Sequence, residues 1–427
     1  LLASLQAFGK SQMDFFLCGL QKDPKYRLEP SAEYPWEYVF RTTVDQIGYD
    51  MDVLSRAFQQ RMPALMSPAM LKTLDLADRL AYRALKPALD HGLIDHDTTV
   101  VTYFQKAVNV RLVPYAPVAL IGIPFSAGKS MRDLLAIPHE VGHYVFRDGR
   151  VRDGRFADSR FSSALYSRFA HQPPWFNAWL EEIFADVYGC LVGGPVTALS
   201  FIELVTDDAL ADFVVQDGEH PAAAVRPEIY FSALQRMGGY ESAREKLMAA
   251  WQTLFVERGN PQMLTLPDGS GKVAIDEIKA DLDGKVVDLL LQEQFLGALL
   301  PNKDGQAHPL WSGELGKEQT VEQLYTGFKE FVATITAQNT PVPELQRMGG
   351  AKMQLVKGKP DAPKSKANGA LQSLGATGLW IDAIKAAANQ NADHGDLSLA
   401  VPWEIWTSLL DAGGWAVEGP GGGNLHS

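Results

Sequence analysis

The stretch His139-Glu140-Val141-Gly142-His143 decides how the rest of the chain is read. It lies within Met131 to Phe146, a run whose pattern reads as a helix. Positions i and i+4 of a helix share a face, so His139 and His143 can grip one metal ion between them. Each would bind through a neutral imidazole nitrogen, the usual tetrahedral zinc chemistry. Glu140, next to the first histidine, is placed to act as general base on a water at that ion. Pro138 immediately precedes His139. Proline lacks a backbone donor and kinks a helix interior, so the helix either starts near this point or bends at it.

Catalytic zinc needs three protein ligands and a water. The completion with Gly three residues and His six residues after the second histidine fails, because Phe146 and Gly149 stand there. The other common completion is a glutamate on a second helix. Asn177 to Val192 (NAWLEEIFADVYGCLV) is such a helix and carries Glu181, Glu182 and Asp186. Glu182 and Asp186 lie one turn apart on one face. One can bind metal while the other accepts a hydrogen bond from a ligand histidine and fixes its tautomer. Glu181 is the rival ligand; it points about 100° away on the helix and lacks an Asp four residues on.

HExxH followed by Glu-x-x-x-Asp resembles the gluzincin metallopeptidases. The form Glu182-Ile183-Phe184-Ala185-Asp186 is most similar to the ExxAD branch, which includes integral-membrane and HtpX-like enzymes. The likeness spans about residues 120 to 230. It implies a zincin-like core with His139, His143 and Glu182 as ligands of one Zn2+, Glu140 as base, and Asp186 orienting His139. It further implies that the strand before the active helix, Val118 to Pro124 (VALIGIP), is a sheet edge that pairs with an extended peptide. Glu219-His220-Pro221 with Arg226 resembles the segment that holds the oxyanion in the ExxAD branch. His220 would donate to it, with Arg226 and Tyr230 as further oxyanion or substrate contacts. The spacing from His143 to Glu182 exceeds that in thermolysin, so Arg147 to Pro174 is an insertion. It carries Arg-Asp-Gly-Arg twice and reads as a solvated loop or a rim over the cleft.

Around this centre the chain reads as α+β and predominantly helical, with a small sheet beside the active helix. Three regions are expected: 1–99 helical, 100–300 the metallopeptidase domain, and 301–427 helical. In the last, 357–370 is a mobile loop, Trp380 to Asn389 and Pro402 to Ala412 are short helices, and Gly419 to Ser427 is a disordered tail. Helical periodicity also marks Met51 to Gln60, Ala69 to Leu85, Val196 to Phe213, Pro227 to Val256, Lys272 to Leu300 and Thr320 to Gln338. Trp403 and Trp406 are expected to dock on their own domain. A net charge of −12 argues against a nucleic-acid partner. Two cysteines, Cys18 and Cys190, are too few for a disulfide framework. No apolar run reaches the length of a membrane span. Gly128-Lys129-Ser130 lacks the upstream glycine of a phosphate loop, and His91 and His96 with Asp95 and Asp97 read as a solvated turn. The expectation is a cytoplasmic zinc peptidase acting on peptides or proteins, with secretion left open because the sequence begins without Met. The alternative is an inactive zincin-like module that binds a partner or senses zinc. Glu140 argues against it, since a ligand-only site has no use for that carboxylate.

Overall fold

A computed structural model describes residues 36–106, 109–112, 117–151, 159–206, 212–215, 218–266, 271–300, 311–312 and 321–337. Cys18, the segment 357–370, Trp403, Trp406 and the glycine-rich tail fall outside these residues. The chain divides into two compact units, and the larger comprises 67–112 and 117–342. The described part of the other unit, 36–66, holds helix α1 (Trp36–Gln59), with an internal Arg56–Asp52 ion pair one turn apart.

The larger unit is mostly helical, with two small sheets. Helix α2 (Pro68–Asp90) opens on a capped turn: the Ser67 hydroxyl accepts the Met70 N–H, and Pro68 sits where no donor is needed. It packs on β1 (Thr99–Gln105). The sequence-based boundary at 99 therefore moves back to 67, because the apolar face of α2 needs the sheet to cover it. Likewise the helix Val321–Ala337 packs on the core helices instead of heading a separate C-terminal region.

The three-stranded sheet has the order β1–β3–β2, with β2 Asn109–Leu112 and β3 Val118–Pro124. β1 runs parallel to β3 and β2 antiparallel. This corrects the expectation that VALIGIP is a sheet edge: it is the central strand, paired on both sides. The cause is legible in its composition, since Val118 to Ile123 are all buried and a continuous apolar run suits a strand covered on both faces. The outer strand next to the helix that carries HExxH is β2.

Helix α3 (Ile137–Asp148) carries the HExxH stretch. It is preceded by a 3-10 turn, Met131–Ala136, so the expected single helix from Met131 is two pieces. Pro138 falls in the first turn of α3, where its missing N–H costs nothing. The insertion contains α4 (Phe161–Arg168) and is not simply a loop. Helix α5 (Pro174–Gly193) is buried almost all round and packs against α2, α3, α4, α6 (Pro195–Thr206) and α7 (Arg226–Met237). An apolar circumference of this kind marks a helix at the centre of a fold. Residues 227–256, expected as one helix, form α7 and α8 (Glu241–Glu257), separated by Gly238 and Gly239 at positive φ. Lys272–Ala274 is strand β5 of a hairpin with β4 (Met263–Thr265), and only from Ile275 is the chain helical.

The packing of α3 on α5 positions the site. A Cβ on Gly142 would lie 2.7 Å from the Ala185 Cα and 3.0 Å from its carbonyl oxygen. One on Gly189 would lie 3.3 Å from the His139 backbone nitrogen. The two helices thus touch backbone to backbone directly beneath the histidines. The obstruction at Gly142 is main chain, which cannot swing aside. Gly142→Val is therefore expected to part the helices and cost about 1–3 kcal/mol of stability or more, as overpacked cores do. Urea unfolding checks this, with Gly128→Ala, where a Cβ meets nothing within 4 Å, as the neutral control. A Gly142→Val protein as stable as its parent would contradict the crossing.

Candidate metal centre

Three of the expected ligands meet. His139 Nε2 and His143 Nε2 are 3.1 Å apart. Glu182 straddles them, with Oε2 at 3.4 Å from His139 Nε2 and Oε1 at 3.4 Å from His143 Nε2. Four donors at zinc-ligand bond lengths of about 2.0–2.1 Å form a tetrahedron with edges of about 3.3–3.4 Å. The three separations lie near that length, although the two to Glu182 run to different oxygens, and the donor set of two imidazoles and a carboxylate suits zinc.

Each ring is held from behind. His139 Nδ1 lies 2.9 Å from Asp186 Oδ1, close in distance though not aligned as a hydrogen bond, and this buried nitrogen has no other partner. Asp186 is fully buried and accepts Arg226 Nε at 2.7 Å, Arg226 Nη2 at 3.0 Å and the Tyr230 hydroxyl at 2.7 Å. Arg226 Nη2 also donates to Glu182 Oε2 at 2.7 Å. Behind Arg226 lies the Phe201 ring, 4.7 Å from the guanidinium carbon. Phe201 in turn stacks on Tyr230. On the other side His143 Nδ1 lies 3.2 Å from Glu181 Oε1, and Arg147 grips the same carboxylate through Nε at 2.9 Å and Nη2 at 2.5 Å.

The electrostatics follow from this geometry. Burial alone would suppress a charge on His139, but the carboxylates of Asp186 and Glu182 overcome it and hold its pKa up to about 10. Burial would likewise raise Glu182 and Asp186. Arg226 and the histidines reverse that, and hold Glu182 well below the usual carboxylate range and Asp186 below it. Glu181 is lowered against burial by His143 and Arg147. Glu140 differs: burial raises its pKa, and the opposing pull of the two histidines does not cancel the rise.

His220 reaches the cluster, its Nε2 3.6 Å from Glu182 Oε1, with its side chain nearly half exposed. Arg226 and Tyr230 do not stand as the substrate or oxyanion contacts expected of them. Both are buried, and the donors described above are turned onto Asp186 and Glu182, because two adjacent carboxylates in the interior demand a cation and a donor. Arg147 is not part of a solvated loop either; it closes the last turn of α3 and pairs with Glu181. The part played by Glu181 and Arg147 was missed, although Arg147 stands one helical turn after His143, a spacing that places both on one face. Cys190 is buried, as its apolar surroundings suggest. Asp95, His96 and Asp97 also lie close together, but all three are exposed. Among the described residues no helix is long and apolar enough to cross a membrane.

The chain matches no protein-family model, no curated protein and no solved structure.

Proposed function

We propose that the chain is a zinc-dependent metallopeptidase with a zincin-like core. The observation that carries this is the convergence of one ligand atom each from His139, His143 and Glu182 within 4.8 Å, on two helices, with the buried Glu140 beside the first ligand. A zinc ion held by these three groups would supply Lewis acidity, easing ionisation of a water and polarising a carbonyl. The chain's own residues do the rest. Glu140 takes the proton from the attacking water and passes it to the leaving amine. His220, at the exposed margin of the cluster, donates to the oxygen that gains charge. Asp186, lying against Nδ1 of His139, favours the proton on that nitrogen and so leaves Nε2 to bind. With VALIGIP internal to the sheet, an extended peptide would add along β2, whose outer edge pairs with no described strand.

Metal analysis of the purified protein together with digestion of casein or a peptide library tests the reading. About one zinc per chain and cleavage that stops with chelator and returns with zinc are expected. Cleavage that continues in chelator would defeat the reading, and zinc without cleavage would leave a binding module.

A further inference from the structure

We propose that Glu181, locked in place by Arg147, is the positioning residue for His143, so that the centre rests on two separately anchored imidazoles. The inference rests on the zinc reading above and adds to it a carboxylate–histidine pair at the second ligand.

Three features carry it. First, the geometry is that of a built contact: Glu181 Oε1 faces His143 Nδ1 at 3.2 Å, and both oxygens of Glu181 are engaged by Arg147. Glu181 and Arg147 are both mostly buried, so the pair is sheltered from solvent screening. Secondly, the helix register demands it. Glu181 and Glu182 are consecutive on α5, about 100° apart around the axis. That step sends one carboxylate to the Nε2 side of His143 and the other to its Nδ1 side. Thirdly, the two anchors have separate supports. Asp186 is satisfied from α7 by Arg226 and Tyr230, whereas Glu181 is satisfied from α3 itself by Arg147.

The physical consequence is a choice of tautomer. With Nδ1–H donated to Glu181, the lone pair of His143 is left on Nε2, the atom that faces Glu182 and His139. The charged acceptor also makes the ring a stronger ligand. Without Glu181 the ring loses both its tautomer bias and its rotational stop.

The experiment uses the full chain. Zinc affinity is read by competition with a chromophoric chelator, and the His143 ring tautomer by 15N NMR of the zinc-free protein at a pH where the ring is neutral. Glu181→Ala is expected to weaken zinc binding by about 10–100-fold, the usual cost of removing such a partner, and to scramble the tautomer. Glu181→Gln keeps an acceptor and so keeps the tautomer, but loses the charge and weakens zinc by about fivefold. An affinity in Glu181→Ala within twofold of the parent, or an unaltered Nδ1–H signal, overturns the proposal. Should Glu181→Ala fail to fold, as judged by melting in chelator, Glu181→Gln decides: unchanged affinity there overturns it equally. Failure of the zinc reading looks different, because the parent itself would then bind no zinc.

Discussion

Replacing Glu140 by Gln is expected to lower peptide cleavage by about 10²–10⁴-fold while zinc stays bound, the usual share of a positioned acid–base group. The substitution conserves shape and removes only the ability to accept and return a proton. Glu140 is suited to that shuttle by its surroundings. It is buried beside His139 and His143, and burial lifts its carboxyl above the ordinary range by more than the neighbouring positive charges lower it. Arg226, which holds the other carboxylates low, acts on Glu140 only as a minor influence. A raised carboxyl is the stronger base, so it takes the proton of an attacking water more readily than an ordinary one. Steady-state cleavage of a fluorogenic peptide, with zinc content measured on the same sample, checks the outcome. A Glu140→Gln protein that cleaves at the parent's rate would remove the general base from the proposal. Loss of zinc with loss of activity would assign Glu140 to holding the centre together.

The second large effect is expected from Arg226→Met. Arg226 is buried and neutralises both Asp186 and Glu182. Removing one partner of a buried charge pair costs about 3–5 kcal/mol, because the survivor stays desolvated without compensation. Here two carboxylates are left, and Met fills the space without answering either. Urea unfolding in the presence of chelator should show the loss. Its pH dependence has a definite sign. In the parent, Glu182 and Asp186 have folded pKa values below their unfolded ones. They therefore contribute stability above the unfolded carboxylate range, about pH 4, and that contribution is lost as pH falls through the folded values. Arg226 is the largest influence lowering both. Without it the folded values rise and the stabilisation at neutral pH shrinks. The gap between variant and parent should thus be widest near neutral pH and close in acid. A gap that persists undiminished in acid would mean that Arg226 acts through packing, on Phe201 for example, and not through charge.

The grouping of His139, His143 and Glu182 was legible in the sequence because helical spacing is rigid. His139 and His143 four apart, and Glu182 and Asp186 four apart, can each face only one way on a helix, and the structure brings them together. Helix starts were less legible. Pro138 admitted two readings, and only the 3-10 turn before Ile137 shows that the proline opens the helix. Strand identity was visible in VALIGIP, but strand order was not. Which neighbour a strand takes depends on chain segments far from it, and here both β1 and β2 claim its edges. Arg226 and Tyr230 were found by resemblance but given the wrong neighbours, since a sequence does not say whether a donor faces a cleft or a buried carboxylate. Glu181 was judged only as a rival for metal. Its service to His143 depends on where α5 crosses α3, a fact set by Gly142 and Gly189.

That glycine-lined crossing has a practical bearing on protein engineering. The spacing between the two helices is fixed by main chain against main chain, while the excursion that joins them packs its own helix onto both through the buried Phe161 and Leu165. A foreign connector would therefore have to keep that short helix and its buried face. Transplanting the helix pair into another scaffold asks more, since Asp186 travels with it and would arrive as an unanswered negative charge. A successful graft must carry a guanidinium to meet it.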